Sequence, residues 1–206
     1  ADKAYYKKGV ERKNRLKGNV IFFHEGATMY CDSAWLYADK NFLKAFSKVH
    51  IIQDDTLHLY GDYLEYNGDT RIAEVIGKVS LRDPSMLLTT DKMVFDRNNN
   101  SALYRTGGTI LNGENTLSSK IGIYYADSKM FLFNKDVVLK NPRYDMFSDT
   151  LRYFTSSKVA RFEGPSTVVS DSSTIYCENG VYDTSTDIAQ FRENAELWNK
   201  SRRLSG

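Results

Sequence analysis

Asp62-Tyr63-Leu64-Glu65-Tyr66 is answered, 29 residues further on, by Asp91-Lys92-Met93-Val94-Phe95. The same phrase, an acidic residue followed by apolar and aromatic side chains at alternate positions, extends in both directions. Asp32, Asp62, Asp91, Lys120, Asp149 and Glu178 form one column with a spacing of 29 or 30 residues. A second column holds Val20, Val49, Val79, Thr109, Val137 and Val168 at nearly the same interval. Two independent columns keeping one period identify a tandem repeat of about six units, each of ~29 residues.

Each unit reads as two strands. Gly18, Gly77 and Gly164 open units, while Asn67-Gly68-Asp69 and Asn98-Asn99-Asn100 carry turn chemistry. Three residues before the acidic position every unit has an apolar side chain: Met29, Leu59, Leu88, Leu117, Met146 and Ile175. One residue before it every side chain is small, from Cys31 and Gly61 to Cys177. Both positions lie on one face of an extended strand, where side chains alternate. Beyond the acidic residue the apolar preference moves to even offsets, as in Leu64 and Tyr66 or Met93 and Phe95. One extra residue exchanges the two faces of everything after it, so a bulge and a bend are expected near each Asp.

The predicted fold is therefore all-β: an elongated, two-walled stack of two-strand units in which each unit touches mainly its neighbours. Composition agrees, with 14 Tyr, 11 Phe and 3 Pro and abundant β-branched residues. The repeat domain is expected to span 18–198, between a basic lead-in at 1–17 and a short tail at 199–206. Lys3, Lys7, Lys8, Arg12, Lys13, Arg15 and Lys17 crowd the first segment, and Lys200, Arg202 and Arg203 the last. These read as solvated ends or, more sharply, as a site for phosphate or carboxylate groups. The open edges of the first and last strands invite pairing with another chain.

The net charge of +2 supplies no global field for nucleic acid. Apolar runs such as Val20-Ile21-Phe22-Phe23 fall far short of the ~20 residues of a transmembrane helix. The start at Ala1 has no charged head, apolar stretch and cleavage site, which is expected of an exported chain whose signal peptide is absent.

With the repeat established, Gly18-Asn19-Val20, Gly77-Lys78-Val79 and the Asp-x-apolar-x-aromatic strands resemble the OstA-like family, the LptA and LptD N-terminal-domain group of lipopolysaccharide-transport proteins. The resemblance covers about Gly18 to Leu197. It implies a taco-like β-jellyroll whose apolar interior takes acyl chains. It also implies a periplasmic or outer-membrane-associated location, lipopolysaccharide or lipid A as partner, and stacking of protomers or other transport components by their edge strands. The pattern weakens after the third unit, where Lys120 replaces the Asp, Thr109 the Val, and Gly122 and Gly180 open gaps in an apolar column.

A trough of this kind has a direct physical use. An acyl chain exposed to water costs ~0.8 kcal/mol per methylene, and a row of similar apolar sites removes that cost without covalent chemistry. The expected lining, from the inward columns of the first three units, is Val20, Phe22, Met29, Val49, Ile51, Leu59, Leu64, Val79, Leu81, Leu88 and Met93. The bland alternative is that these residues pack on one another in a closed core.

Other chemistries find little support. His24, His50 and His58 lack the short paired spacing of a metal site, and no metal or cofactor is expected. No nucleophile elbow, phosphate loop or dinucleotide fingerprint occurs. One Asp per unit suggests turn or bulge bonding rather than a singular catalytic pair. Cys31 and Cys177 share a column five units apart, roughly 24 Å or more at ~4.8 Å per strand, well beyond the ~7 Å limit of a disulfide. The expectation is a non-enzymatic lipid-bridging protein. The alternatives are a structural or adhesive β module binding protein or glycan through a closed-core scaffold, and, less well matched by the period, a glycan-processing enzyme on a parallel β-helix.

Overall fold

A computed structural model describes residues 1–7, 13–24, 26–186, 188–199 and 202–205. It is all-β apart from one short 3-10 turn, Ala38–Lys40. The chain divides into two compact units, Ala1–Ala102 and Leu103–Gly206.

The first unit is an antiparallel meander of strands β1 (Lys3–Lys7), β2 (Lys13–His24), β3 (Ala27–Tyr37), β4 (Phe42–Gln53), β5 (Leu57–Asn67), β6 (Ile72–Arg82) and β7 (Leu87–Asp96). Each strand pairs with the next in sequence. The strands are long because apolar residues recur at every second position on either side of a central irregularity. In β6, Ala73 and Val75 are buried before it, and Val79 and Leu81 after it.

That irregularity is the expected bulge, but its extra residue lies on the opposite strand from the one anticipated. Lys17 pairs with Ser33 and Val20 with Cys31, so Gly18 and Asn19 together face the single residue Asp32. In the same way Ser47 and Lys48 face Asp62, and Gly77 and Lys78 face Asp91. Both members of each two-residue insert have positive φ, for example 60° and 51° at Ser47 and Lys48. The Asp-bearing strand shows the change of parity in sequence. Its Val-bearing neighbour supplies the two left-handed residues that let the ladder resume, and the valine that follows each insert is 1% exposed at Val20, Val49 and Val79. Burying such a side chain is worth about 1.5–3 kcal/mol, which offsets the ~1–2 kcal/mol of the single non-glycine left-handed residue at Asn19 or Lys78 and part of the cost of the pair Ser47 and Lys48.

The strands begin earlier than the expected boundary at residue 18. Asp2 donates its amide to the Gly18 carbonyl (2.9 Å) and accepts from Asn19 Nδ2 (3.1 Å), taking the same place beside an insert that Asp32 and Asp62 take later. The basic composition of this segment concealed that extra member of the column. Lys8, Arg12 and Lys200 lie outside the described residues.

The boundary falls within β8 (Ser101–Tyr104), and the second unit continues the pattern with β9 (Gly108–Asn112), β10 (Asn115–Ser119), β11 (Ile121–Tyr125), β12 (Met130–Asn141), β13 (Tyr144–Phe154), β14 (Val159–Ser170), β15 (Ser173–Asp183), β16 (Ile188–Arg192), β17 (Glu196–Asn199) and β18 (Arg202–Ser205). Lys135 and Asp136 face Asp149, and Gly164 and Pro165 face Glu178. Lys120, which breaks the acidic column, pairs with Asp136 of the next insert at 2.5 Å; the ion pair survives with its signs exchanged. The last strand, β18, pairs with β17 inside the segment expected to be a free tail.

Rings fill the interior of this second unit. Tyr104, Tyr124, Tyr153, Phe131, Phe133 and Phe162 are all fully buried. Gly122, the gap in the apolar column, is occupied from the side: a Cβ there would collide with the Tyr104 ring. Beside these rings Tyr153 donates to Asn112 Oδ1 (2.8 Å), Asn115 Nδ2 donates to the Tyr153 hydroxyl (3.0 Å) and to Thr184 Oγ1 (3.1 Å), and Asn141 Nδ2 donates to Asn115 Oδ1 (2.9 Å).

Candidate functional site: an apolar trough in the first unit

Each long strand of the first unit carries a Val-side half and an aromatic-side half on either side of the bulge. The two halves face one another across a cavity of about 90 Å³. Phe22, Met29, Ile51, Leu59 and Leu81 line it from the Val side; Leu43, Leu64, Ala73 and Phe95 line it from the aromatic side. Met29, Leu59, Leu64 and Leu81 are buried, while Phe22, Ile51 and Leu57 are half-buried. The lining therefore grades from a dry floor to an accessible entrance.

Of the eleven residues expected to line a trough, Phe22, Met29, Ile51, Leu59, Leu64 and Leu81 line this cavity. Val20, Val49, Val79, Leu88 and Met93 are buried in the first unit without being part of the lining. The three valines follow the bulges directly, where the two halves of the strand meet and no space remains.

The lining also contains residues that the apolar columns left out. Leu43 and Ala73 belong to the aromatic-side halves of β4 and β6, whose register could have indicated them. His24, Gln53 and Arg97 are polar and stand at or just beyond strand ends, so hydrophobic patterning gave no sign of them, whereas Tyr66 belongs to the aromatic column. His24 closes β2 and Tyr66 belongs to β5, yet their rings meet edge-on with centroids 5.8 Å apart. The contact joins the Val side to the aromatic side across the entrance. Arg97 is placed at the rim by its amide, which donates to the Arg71 carbonyl at 3.1 Å. Among the described residues the lining contains no carboxylate.

The other candidates resolve into structural roles. Asp32 meets Lys48 at 3.3 Å in the adjacent insert, and Asp62 lies beside Gly77, so these acids serve the bulges. His50 and His58, eight residues apart in sequence, are brought together by the pairing of β4 with β5, with Nε2 and Nδ1 3.1 Å apart. His50 also stacks on Tyr60 at 4.2 Å, and burial, followed by the charges of His58 and Arg82, lowers its pKa. Among the described residues no group of three or more His, Cys, Asp or Glu is gathered as a metal site. Cys31 and Cys177 are buried free thiols whose pKa burial pushes up to about 11, the reverse of an activated nucleophile. No helix is long and apolar enough to cross a membrane among the described residues.

A family model described as "OstA-like protein" matches residues 2–149 and 146–206. No curated protein matches the chain. Among solved structures, similarity is found to LptH of Pseudomonas aeruginosa, described as the LptA-homologous periplasmic component of the lipopolysaccharide transport device. The two are 16% identical, with 70% of this chain and 94% of that one covered and a TM-score of 0.31.

Proposed function

The chain belongs to the OstA-like family, and from that premise we propose that it is a non-enzymatic, periplasmic lipid-binding protein of lipopolysaccharide transport to the outer membrane, taking acyl chains into the trough of its first unit. The observation that carries the proposal is the cavity lined by apolar side chains from both halves of the bent strands. Transfer of each methylene from water to such a lining gains ~0.8 kcal/mol, and no bond has to be made or broken.

The size of the cavity bears on how a lipid enters. An engineered apolar cavity of ~150 Å³ holds one benzene, so the 90 Å³ present here admits only a few carbons. A longer chain enters by parting the two walls, and the His24–Tyr66 contact is the place where they separate. Lipopolysaccharide or lipid A is the expected ligand, and the edge strands are where further copies or other transport components would pair.

The ring-filled interior of the second unit supports a different reading for that half: a closed structural core of the kind an adhesive or scaffolding module uses. Both readings are tested by native mass spectrometry of the purified protein with lipid A, alongside Ile51→Asp, a half-buried lining position. Saturable binding by the wild type, lost in a variant that retains its circular dichroism spectrum, supports the trough. A folded wild type that binds neither lipid A nor simpler acyl lipids overturns it in favour of the closed-core module.

A further inference from the structure

A conduit for hydrocarbon needs no polar groups, yet the entrance of this trough is built from them. Tyr66 lines the cavity, and its hydroxyl is shielded from solvent and makes no hydrogen bond among the described residues. Such a hydroxyl opposes folding unless a partner arrives, because it has given up its water and gained nothing in return. Phenylalanine would fill the same place without that cost. What that hydroxyl lacks is an acceptor for its proton.

The neighbours of Tyr66 indicate the sign of that acceptor. Gln53, at the end of β4, and Arg97, just after β7, share the lining with His24 and Tyr66, and among the described residues no aspartate or glutamate does. These four residues come from four different strand ends or their approaches, so the register of the whole meander brings them to one rim. Their combined chemistry is a phenol, a primary amide and an imidazole, each able to donate, and a guanidinium that donates only, above an apolar floor. A cation and a desolvated hydroxyl together favour an oxyanion over a neutral or cationic group.

We propose that the rim formed by His24, Gln53, Tyr66 and Arg97 is a head-group station, at which an amphiphile bearing an oxyanion head, a phosphate ester or a carboxylate, is held while its tail occupies the trough. The inference rests on the lipid-binding reading above and goes further: the first unit is a seat with a fixed register for one end of its ligand, rather than a uniform slide. The Tyr66 hydroxyl donates to the head oxygen, Gln53 and the positive charge of Arg97 stand in the same lining, and the hydrocarbon begins at Ile51 and Leu57.

Four twelve-carbon probes separate the terms: dodecyl phosphate, laurate, dodecanol and dodecyltrimethylammonium, each below its micelle concentration. Each displaces a fluorescent apolar dye from the full chain. The wild type is expected to bind dodecyl phosphate or laurate about tenfold or more tightly than the neutral and cationic probes, and the stronger of the two anions identifies the head. Tyr66→Phe, which keeps the ring, is expected to reduce that preference to less than about threefold by weakening the anions more than dodecanol. Equal binding of dodecanol and the anions by the wild type, or a preference that survives Tyr66→Phe, overturns the head-group station and leaves the trough standing. If none of the four probes binds the folded wild type, the trough itself is overturned and the station with it.

Discussion

The carboxylate of Asp62 lies 2.7 Å from where a Cβ on Gly77 would stand, and Gly77 has a φ of 82°. An acidic residue on one strand thus occupies the space that a glycine vacates on the next. Gly77→Ala would meet both the left-handed backbone cost and the Asp62 side chain. A loss of about 1–3 kcal/mol is expected, read as a lower midpoint in urea denaturation. Gly77→Ala in an Asp62→Ala background should recover the steric part and keep the backbone part. An unchanged midpoint for the single variant would contradict the bulge geometry.

Tyr153 offers a test of the second unit. Its hydroxyl donates to Asn112 and accepts from Asn115 in a fully buried setting. Tyr153→Phe removes the hydroxyl and takes one hydrogen bond from each of two buried amides, an expected loss of about 1–3 kcal/mol. Tyr30→Phe, at a position 38% exposed, should change stability by less than about 0.5 kcal/mol. Comparable effects at the two sites would mean that the network does not contribute.

The fold was legible because its signals are periodic. Valines after the bulges, apolar residues before the acids and the change of parity between them all recur, so each unit repeats the evidence of the last. The site was legible only in part. Phe22, Ile51 and Leu81 follow from strand alternation, but Val49 and Val79 satisfy the same pattern and line nothing, because alternation gives the face of a strand and not the distance to the opposite wall. Tyr66 stands in a visible aromatic column, whereas His24, Gln53 and Arg97 share neither period nor polarity with it. Their gathering depends on where strands end, a tertiary property. The pairing of His50 with His58 was hidden for a related reason, since residues on neighbouring strands are joined by register rather than by sequence spacing.

Two groups on the outer side of the first unit set its response to acid. The hydrogen bond from Lys44 (2.7 Å), followed by that from Tyr63, lowers the pKa of Glu65. A carboxylate with a depressed folded pKa contributes stability above its unfolded value, near 4.5, and loses it as pH falls through the folded value. His50, also lowered, is held neutral by burial; its contribution is present above the usual 6.5 and is lost as pH falls below it. Stability should therefore decline in two stages on acidification, the first removed by His50→Gln and the second by Glu65→Gln. Glu65 and Lys44 are 34% and 29% exposed, so the second stage is small, about 1 kcal/mol or less. A single transition unaffected by either substitution would contradict both assignments.

Cys31 and Cys177 report on the two compact units separately, since one thiol lies in Ala1–Ala102 and the other in Leu103–Gly206. Both are buried, with pKa values raised from 9.0 to about 11. The thiolate is the reactive species, so at pH 8 the raised pKa alone suppresses alkylation about 100-fold, and burial blocks access as well. Iodoacetamide should leave both cysteines unmodified in the native protein over hours and label both in urea, with peptide mass spectrometry assigning each site. Labelling of Cys177 under native conditions would mean that the second unit opens readily, and its ring-filled interior could not then be the closed core described here. Labelling confined to Cys31 would place the opening in the unit that carries the trough. Protection of both thiols that gives way at Cys31 when dodecyl phosphate is added would tie entry of a chain to movement of the walls, because Cys31 lies on β3 two residues from the lining residue Met29.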